Sequence, residues 1–270
     1  MRETLTRSLS GLVYIILLTI SIFYSSYTFL LLFGIFLIIA VLEFCDLIHI
    51  KKVIPVIIAS AAYSLFAFFP ITDITTILLL VATLFVSFRC MIFLFTNEPL
   101  PRDQVSRYIF LIGYVILPFV LLTKIPFQSN EYGLYQPEIM MSIFVIFWAN
   151  DTFAFVVGKL AGRTKLYERI SPKKTVEGFI GGAGFAILFA SLAAWYYVYE
   201  PVWIWIITAI LISVTGTIGD LVESKFKRVA AVKDSGSLMP GHGGILDRLD
   251  SVIFATPFVL LFYQILQYVS

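Results

Sequence analysis

Long apolar stretches occupy most of this sequence and leave little room for a soluble domain. A bilayer-spanning helix needs about 20 mostly apolar residues. Nine stretches meet or approach that length: 9–24, 27–44, 53–70, 74–95, 106–123, 138–158, 177–198, 202–219 and 251–269. Hydrophobic residues make up 60% of the chain and charged residues 13%, whereas soluble domains are about 45–50% apolar and about 25% charged. The sequence therefore predicts an all-α, polytopic membrane protein with about nine transmembrane helices.

Lysine and arginine fall almost entirely on one side of these predicted helices. If the N-terminus lies in the cytoplasm and nine helices alternate, the inner segments hold 18 of the 19 Lys and Arg residues, and only Lys124 lies outside. Cytoplasmic loops of membrane proteins carry such an excess of positive charge. If one helix in the middle were missed or wrongly added, the later loops would change sides and the asymmetry in positive charge would be lost. We therefore expect a cytoplasmic N-terminus.

The two halves of the sequence differ in how many polar residues their spans contain. Residues 1–126 contain few, and are interpreted as N-terminal scaffold helices. Glu43, Asp46 and His49 are the main exception, and their place at the inner end of the second span favours a solvated helix end over a site. Residues 127–270 hold nearly all the unusual polar residues, and are interpreted as a C-terminal catalytic region of the same membrane-embedded unit.

An ionisable residue interrupts the sixth predicted span. Asn150 and Asp151 lie within an otherwise apolar run. An aspartate inside a span costs at least about 2.5–3.5 kcal/mol on insertion scales, so such residues are usually functional or paired. We favour a functional role for Asp151, the alternative being a structural pair with a basic residue on another helix.

A basic segment precedes the seventh span. Ser171 is placed to cap a helix whose first residue is Pro172, which would gather backbone N–H groups, Lys173 and Lys174 at one helix start. Helix N-termini attract anions, and Glu177 would lie one turn after Lys174. Three glycines in the following helix would let another helix approach closely. The segment is thus either a phosphate-binding corner or a positively charged loop followed by a packing face. It has no GxxxxGK[ST] pattern and is not an ordinary P-loop.

Charged and small residues interrupt the apolar pattern most strongly between Gly219 and Asp250. If the eighth helix continues beyond its span, four polar side chains share one face and an apolar stripe lies opposite. A helix with this pattern can lie at the membrane interface, although a solvated extension explains the charges equally well. The polar residues are Asp220, Glu223, Ser224 and Lys227, and the apolar ones are Val222, Phe226 and Val229.

A glycine-rich turn and a pair of carboxylates complete the stretch. The residues around His242 favour a tight loop whose backbone N–H groups could approach a ligand. Asp247 and Asp250 follow at a spacing that places both on one helical face. They fit a binding site and a dipole-stabilised helix start equally well. The turn residues are Pro240, Gly241, Gly243 and Gly244.

Carboxylates beside many lysines and arginines indicate a hard-cation site that handles phosphates. Mg²⁺ prefers oxygen ligands and is usually held by one or two carboxylates together with substrate phosphates. His242 alone does not imply zinc, and fits a loop residue or a phosphate hydrogen-bond donor better. Cys45 and Cys90 lie far apart and outside any CxxC pair, so thiol-bound zinc is not supported.

These segments resemble a known family. Residues 224–228, Lys233, Asp234 and the run PGHGGILDRLD over 240–250 resemble the signature of the phosphatidate cytidylyltransferases, also called CDP-diacylglycerol synthases. The segment SPKKTVEG over 171–178 and the Asn150–Asp151 pair are similar to that family's other shared blocks. The resemblance covers about residues 140–260, and the first half only by hydropathy.

The resemblance implies a membrane enzyme that converts CTP and phosphatidic acid to CDP-diacylglycerol and pyrophosphate with Mg²⁺. It also implies a homodimer in the inner cell membrane, with the site on the cytoplasmic side and no nucleic-acid partner. The expected catalytic residues are Asp220, Lys227, Arg228, Asp247 and Asp250. The expected metal ligands are Asp220 and Asp247 first, then Asp250, Glu223 and Asp151. The expected substrate contacts are Ser171, Lys173, Lys174, Thr175, Glu177, Ser224, Lys233, His242, Gly243, Gly244 and Arg248.

Other functions remain as alternatives. A CTP-using polyprenol kinase would take a lipid alcohol, which benefits from a general base. CDP-alcohol phosphotransferases are disfavoured because their DxxDGxxAR run is absent. A transporter would use Asp151, Asp220 and Asp247 as a cation path. Transporters often have two corresponding halves, whereas the polar residues of this sequence are concentrated in one half. A non-catalytic membrane scaffold would need no such gathering of charges beside glycines.

Overall fold

The computed structural model describes residues 2–69, 72–128, 134–241 and 243–269. Its longer helices are α1 Arg2–Tyr24, α2 Ser26–Leu47, α3 Val53–Phe68, α4 Asp73–Phe95, α7 Pro137–Ala161, α8 Val176–Ala193, α9 Val202–Val229 and α10 Leu246–Val269. A further rod consists of α5 Gln104–Phe110, a π-helical stretch Leu111–Ile116 and α6 Leu117–Leu122. A 3₁₀ turn Ile125–Phe127, a π-helical turn Ala194–Val198 and the strands β1 Lys165–Tyr167 and β2 Ser171–Thr175 complete the elements.

A helical rod lies at each of the nine predicted positions within the described residues, and the protein is an all-α polytopic membrane protein. Seven rods are long and apolar enough to cross a membrane, whereas the apolar helices Leu9–Tyr24 and Val53–Phe68 are shorter. Large apolar side chains such as Leu78 and Phe88 face outward, as expected of a surface solvated by lipid. That all nine rods cross the bilayer stays a prediction.

The predicted helix start at Ser171 is wrong. Residues 171–175 form strand β2, which pairs antiparallel with β1, with Lys165 opposite Thr175. Helix α8 begins only at Val176, where the Thr175 hydroxyl accepts a hydrogen bond from the backbone N–H of Gly178 at 3.1 Å. Both Ser171 and Thr175 have the side chain of an N-cap. Pairing with β1 satisfies the backbone up to Thr175 and so selects the later cap.

Helix α9 continues well beyond Asp220, as the charge pattern allowed, and this extension is buried within the protein. Every residue from 221 to 227 is buried. Phe226 lies at the centre of an aromatic cluster, with its ring centroid 4.9 Å from that of Phe93 and 5.0 Å from that of Phe44. A solvated extension is therefore ruled out, because helices of the first half of the chain cover this side of α9. Its depth relative to the membrane interface stays a prediction.

Glycines set the closest approaches between the helices that hold the polar residues. A Cβ on Gly182 of α8 would lie 2.6 Å from the carbonyl oxygen of Asn150 on α7. A Cβ on Gly219 of α9 would lie 2.9 Å from the carbonyl oxygen of Asp250 on α10. The expected packing face after the basic segment is therefore present at Gly181 and Gly182, but Gly184 is not part of it. Close contact of α9 with α10 also places Asp220 and Asp250 beside the same cleft.

The α7–α8 contact predicts different costs for two nearby glycines. Gly182→Ala should lower the unfolding free energy by about 1–3 kcal/mol, the usual cost of overpacking. Gly184→Ala is the matched control, because nothing lies within 4 Å of its added Cβ, and alanine is favoured over glycine in helices by about 1 kcal/mol. Thermal unfolding in detergent measures both. Equal midpoints for the two variants would contradict the assigned packing face.

Candidate active site

A polar cleft of about 540 Å³ lies where α7, the β-hairpin, α8, α9 and α10 meet. Four carboxylates and five cationic side chains are among the residues that line it. The carboxylates are Asp151, Asp220, Asp247 and Asp250, and the cations are Lys159, Lys165, Lys173, Lys174 and Arg248. Opposite charges in one cleft suit a ligand that carries phosphates and a metal ion, because the phosphates pair with the cations and the metal with the carboxylates.

An ion pair joins the hairpin to α9 inside this cleft. Lys174 Nζ lies 2.7 Å from Asp220 Oδ2, and the two side chains are 27% and 37% exposed. Ser224 Oγ donates to the other Asp220 oxygen at 3.3 Å. Asp220 also interacts electrostatically with Asp151 and Asp250. Because Lys174 and Asp220 both remain accessible, a ligand can reach either one.

A second charge cluster is buried behind the cleft. Lys227 on α9 forms ion pairs with Glu223, one turn earlier, and with Asp247 on α10, whose Oδ1 lies 2.6 Å from Nζ. The side chain of Glu223 is fully buried, and its Oε1 atom has no hydrogen-bond partner. Removing one member of such a cluster leaves an uncompensated buried charge and costs about 3–5 kcal/mol. These contacts give Lys227 a structural role in joining α9 to α10.

Asp247 is extensively hydrogen-bonded. Its Oδ2 atom accepts from the backbone N–H of Gly244 at 2.7 Å, and from the backbone N–H and hydroxyl of Ser235, both at 2.9 Å. With Lys227 on Oδ1, both oxygens have partners within the protein. Asp250 also lines the cleft, and its Oδ1 atom accepts a hydrogen bond from the backbone N–H of Ser251.

Glu43 is not at a solvated helix end, and the sequence interpretation was wrong for this residue. Its side chain is buried, and its two oxygens accept hydrogen bonds from the backbone N–H groups of Ile245 and Leu246 at 3.1 and 2.8 Å. The interpretation is confirmed for Asp46, which is exposed and pairs with Lys52 at 2.8 Å. The sequence feature that could have indicated a buried role for Glu43 was a carboxylate near the end of an otherwise apolar helix.

The structure brings eight of the eighteen predicted site residues to the main cleft. Asp151, Lys173, Lys174, Thr175, Asp220, Asp247, Arg248 and Asp250 line it. Lys233, Gly243 and Arg248 line a neighbouring cleft of about 380 Å³, so Arg248 faces both. His242 lies outside the described residues. Gly241 and Gly243 both have positive φ angles, 76° and 85°, and Met239 and Gly243 form a β-bridge. These described residues have the backbone conformation that the predicted tight loop requires.

Several predicted residues have partners elsewhere. The Glu177 carboxylate accepts hydrogen bonds from the backbone N–H groups of Arg163 and Thr164, at 3.0 and 3.1 Å, and so holds the loop before the hairpin. Exposed Arg228 donates to the carbonyl oxygen of Val232 at 3.3 Å. Ser171 pairs with Tyr167 in the hairpin.

Sequence reasoning missed two cleft lysines, Lys159 and Lys165. They had been counted only as part of the positive charge of an inner loop. Lys165 Nζ donates to the carbonyl oxygen of Pro172 at 2.6 Å, across the hairpin. The spacing of residues in this segment does not predict a hairpin. Nothing in the sequence therefore indicated that Lys165 lies on a strand paired with the strand of Lys174.

The donor atoms of the cleft fit a hard cation. No group of three or more His, Cys, Asp or Glu side chains in the described part of the chain is arranged as a complete metal site. Mg²⁺ does not need one, because one or two carboxylates and substrate phosphates usually hold it. The cleft supplies such carboxylates, and the buried Asn150 Oδ1 beside them has no hydrogen-bond partner. Cys45 and Cys90 are free and buried.

Comparison with known proteins identifies relatives of the chain. Residues 5–266 match the model of the cytidylyltransferase family. Over 148 residues the chain is 44% identical to a phosphatidate cytidylyltransferase of Staphylococcus aureus (strain COL), covering 54% of each chain. It is 40% identical over 156 residues to that of Staphylococcus saprophyticus, covering 57% of each. The chain thus spans about half the length of the curated relatives it matches. With the family model matched over almost its whole length, this chain belongs to the cytidylyltransferase family.

Proposed function

We propose that this protein transfers the cytidylyl group of CTP to phosphatidic acid, giving CDP-diacylglycerol and pyrophosphate. The observation that supports this most strongly is a cleft with cations and carboxylates on facing elements, in a chain whose relatives bear the name phosphatidate cytidylyltransferase. Two polyanionic substrates require positive charge to approach each other, and a metal-bound triphosphate requires oxygen donors. The cleft provides both.

The phosphate of phosphatidic acid is the nucleophile, and it attacks the α-phosphorus of CTP. A phosphomonoester has a second pKa of about 6 and is largely dianionic at neutral pH, so no side chain has to activate it. Lys165, Lys173, Lys174 and Arg248 offset the repulsion between the two substrates and the charge that develops on the departing pyrophosphate. Thr175 supplies a hydroxyl at the hairpin end of the cleft.

Asp220 is the principal candidate ligand for Mg²⁺, with Asp250 and Asp247 on the facing helix. Asp247 has more partners within the protein, which favours Asp250 as the second donor and leaves Asp247 as the residue that orders the loop before α10. When bound, the ion would neutralise charge on the triphosphate and polarise its phosphoryl oxygens. Lys174 pairs with Asp220 and remains partly exposed, so it could exchange this carboxylate for a substrate phosphate.

The acyl chains remain in the bilayer while the head group enters the cleft between helices. Extracting them would cost about 0.8 kcal/mol for each CH₂ group. By the distribution of lysine and arginine, the cleft lies at the cytoplasmic face of the inner cell membrane, where CTP is available. We further propose that the protein acts as a homodimer, with no nucleic-acid partner.

The reaction is tested with purified protein, phosphatidic acid, CTP and Mg²⁺. We expect CDP-diacylglycerol and pyrophosphate to appear in equal amounts, and no turnover when chelator removes the divalent cation. Thin-layer chromatography of labelled lipid and a pyrophosphate assay measure the two products. Formation of CDP and a lipid phosphate from a lipid alcohol would instead identify a kinase. Uptake of an ion or solute into vesicles without nucleotide turnover would identify a transporter.

Asp220→Asn should lower kcat by about 100-fold or more, because it removes charge at the proposed ion. The thermal midpoint should change little, since the Lys174–Asp220 pair is partly exposed and such pairs contribute about 0–1 kcal/mol. Asp46→Asn is the matched control, because its ion pair with Lys52 is exposed and distant from the cleft lining. Turnover in Asp220→Asn within about threefold of wild type would remove Asp220 from the metal site.

The topology is tested across the short helix α3. Single cysteines introduced at Lys51 and Asp73, both exposed, lie beyond its two ends. If α3 crosses the bilayer, a membrane-impermeant thiol reagent should label Asp73→Cys in intact cells and Lys51→Cys only after the membrane is opened. The native Cys45 and Cys90 are buried and give a low background. Labelling of both positions from the same side would show that α3 does not cross.

A further inference from the structure

Glu43 belongs to the first half of the chain, yet its carboxylate contacts the start of the last helix. It lies near the inner end of α2, among apolar residues. Its oxygens accept hydrogen bonds from the backbone N–H groups of Ile245 and Leu246. The first N–H groups of a helix have no partner within the helix, and the helix dipole favours a negative charge there. Glu43 therefore acts as a cap for α10 that is supplied by another helix.

Ser235 connects this cap to Asp247. Its hydroxyl lies 2.9 Å from Asp247 Oδ2 and 3.4 Å from Glu43 Oε2, so it can donate to either carboxylate. The backbone N–H of Gly244, immediately before Ile245, also donates to Asp247. Two carboxylates that are far apart in the sequence thus share one loop: the backbone N–H of Gly244 donates to Asp247, and those of Ile245 and Leu246 donate to Glu43.

The loop has room for Glu43 only because two of its residues lack side chains. A Cβ on Gly236 would lie 2.8 Å from the Glu43 carboxyl carbon, and a Cβ on Gly244 would lie 2.5 Å from it. Both glycines therefore close around the same carboxylate. Hydrogen bonds from backbone N–H groups are directional, so those of Ile245 and Leu246 fix the position of these loop residues relative to the carboxylate.

We propose that Glu43 is a positioning residue for the reaction: it holds residues 235–236 and 244–246 so that Asp247, Arg248 and Asp250 project from a fixed start of α10 into the cleft. This rests on the proposed function for its effect on turnover. Glu43 itself does not touch the cleft, and acts only through the loop. A displacement of about 1 Å in groups that orient substrate can cost 100-fold in rate.

Glu43→Gln tests this with little change in shape. The amide keeps one acceptor but turns an N–H₂ group toward a backbone N–H, so one of the two cap bonds is lost. We expect kcat to fall about 10- to 100-fold while the KM for CTP stays within about twofold, because no group that contacts the nucleotide is removed. Asp46→Asn, three residues further along the same helix, should leave both constants unchanged. A kcat for Glu43→Gln within twofold of wild type would overturn the proposal.

Hydrogen–deuterium exchange separates positioning from general destabilisation, and does not depend on the reaction. In Glu43→Gln, the amides of residues 235–246 should exchange at least about tenfold faster, while peptides of α4 and α7 keep their wild-type rates. Faster exchange throughout the protein would show a merely structural role and overturn the proposal. If the wild-type protein fails to turn over CTP and phosphatidic acid, the proposed function falls, and the exchange pattern still decides whether Glu43 holds the loop.

Ser235→Ala provides a second variant in case Glu43→Gln does not fold. It removes the hydroxyl between the two carboxylates but leaves both cap bonds of Glu43. We expect a smaller fall in kcat, about three- to tenfold, at an unchanged thermal midpoint. The double variant should lose less than the product of the two single losses, because both changes act on the same loop. Strictly multiplicative losses would show that Glu43 and Ser235 act independently, contrary to the proposal.

Discussion

The contact of Lys227 with Glu223 and Asp247 holds together the part of the protein on which the rest depends. A lysine between two carboxylates, all of them shielded from water, is stable only while each partner stays in place. Glu223 and Lys227 lie on α9 and Asp247 lies on α10, so the cluster fixes the rotation of one helix against the other. The glycine contact at Gly219 fixes their separation. Together they determine where Asp220 and Asp250 face the cleft.

The charged side chains of this region therefore divide by burial into two sets. Those behind the cleft are neutralised by one another and by backbone groups, and they define its shape. Those at its surface, such as Lys174 and Asp220, are paired but remain accessible. The accessible set can exchange a protein partner for a ligand at small cost, since a partly exposed ion pair contributes little on its own. The buried set therefore keeps the shape of the cleft fixed, while the accessible set is free to bind a charged ligand.

Most of the fold was predictable, because the number and length of the apolar stretches are strong signals. The continuation of α9 also followed from a local pattern, whereas the clustering of Asp151, Lys174, Asp220 and Asp250 was expected from the family resemblance. The hairpin was not predictable, because Ser171 and Thr175 are equally good caps and only pairing with β1 distinguishes them. Glu43 was missed for a related reason. A carboxylate at a helix end is normally hydrated, and nothing in its neighbourhood indicates a partner in a distant segment.

The cap on α10 also has a consequence for how the protein is assembled. Glu43 leaves the ribosome 202 and 203 residues before the amides of Ile245 and Leu246 that it will bind. Until then its carboxylate lacks these partners, and an unpaired charge among apolar helices is costly, so we expect the end of α2 that carries Glu43 to stay hydrated while the following helices are made. Such a long-range contact forms late. The loop that leads into α10 and Asp247 can therefore be completed only after the last helix has been synthesised.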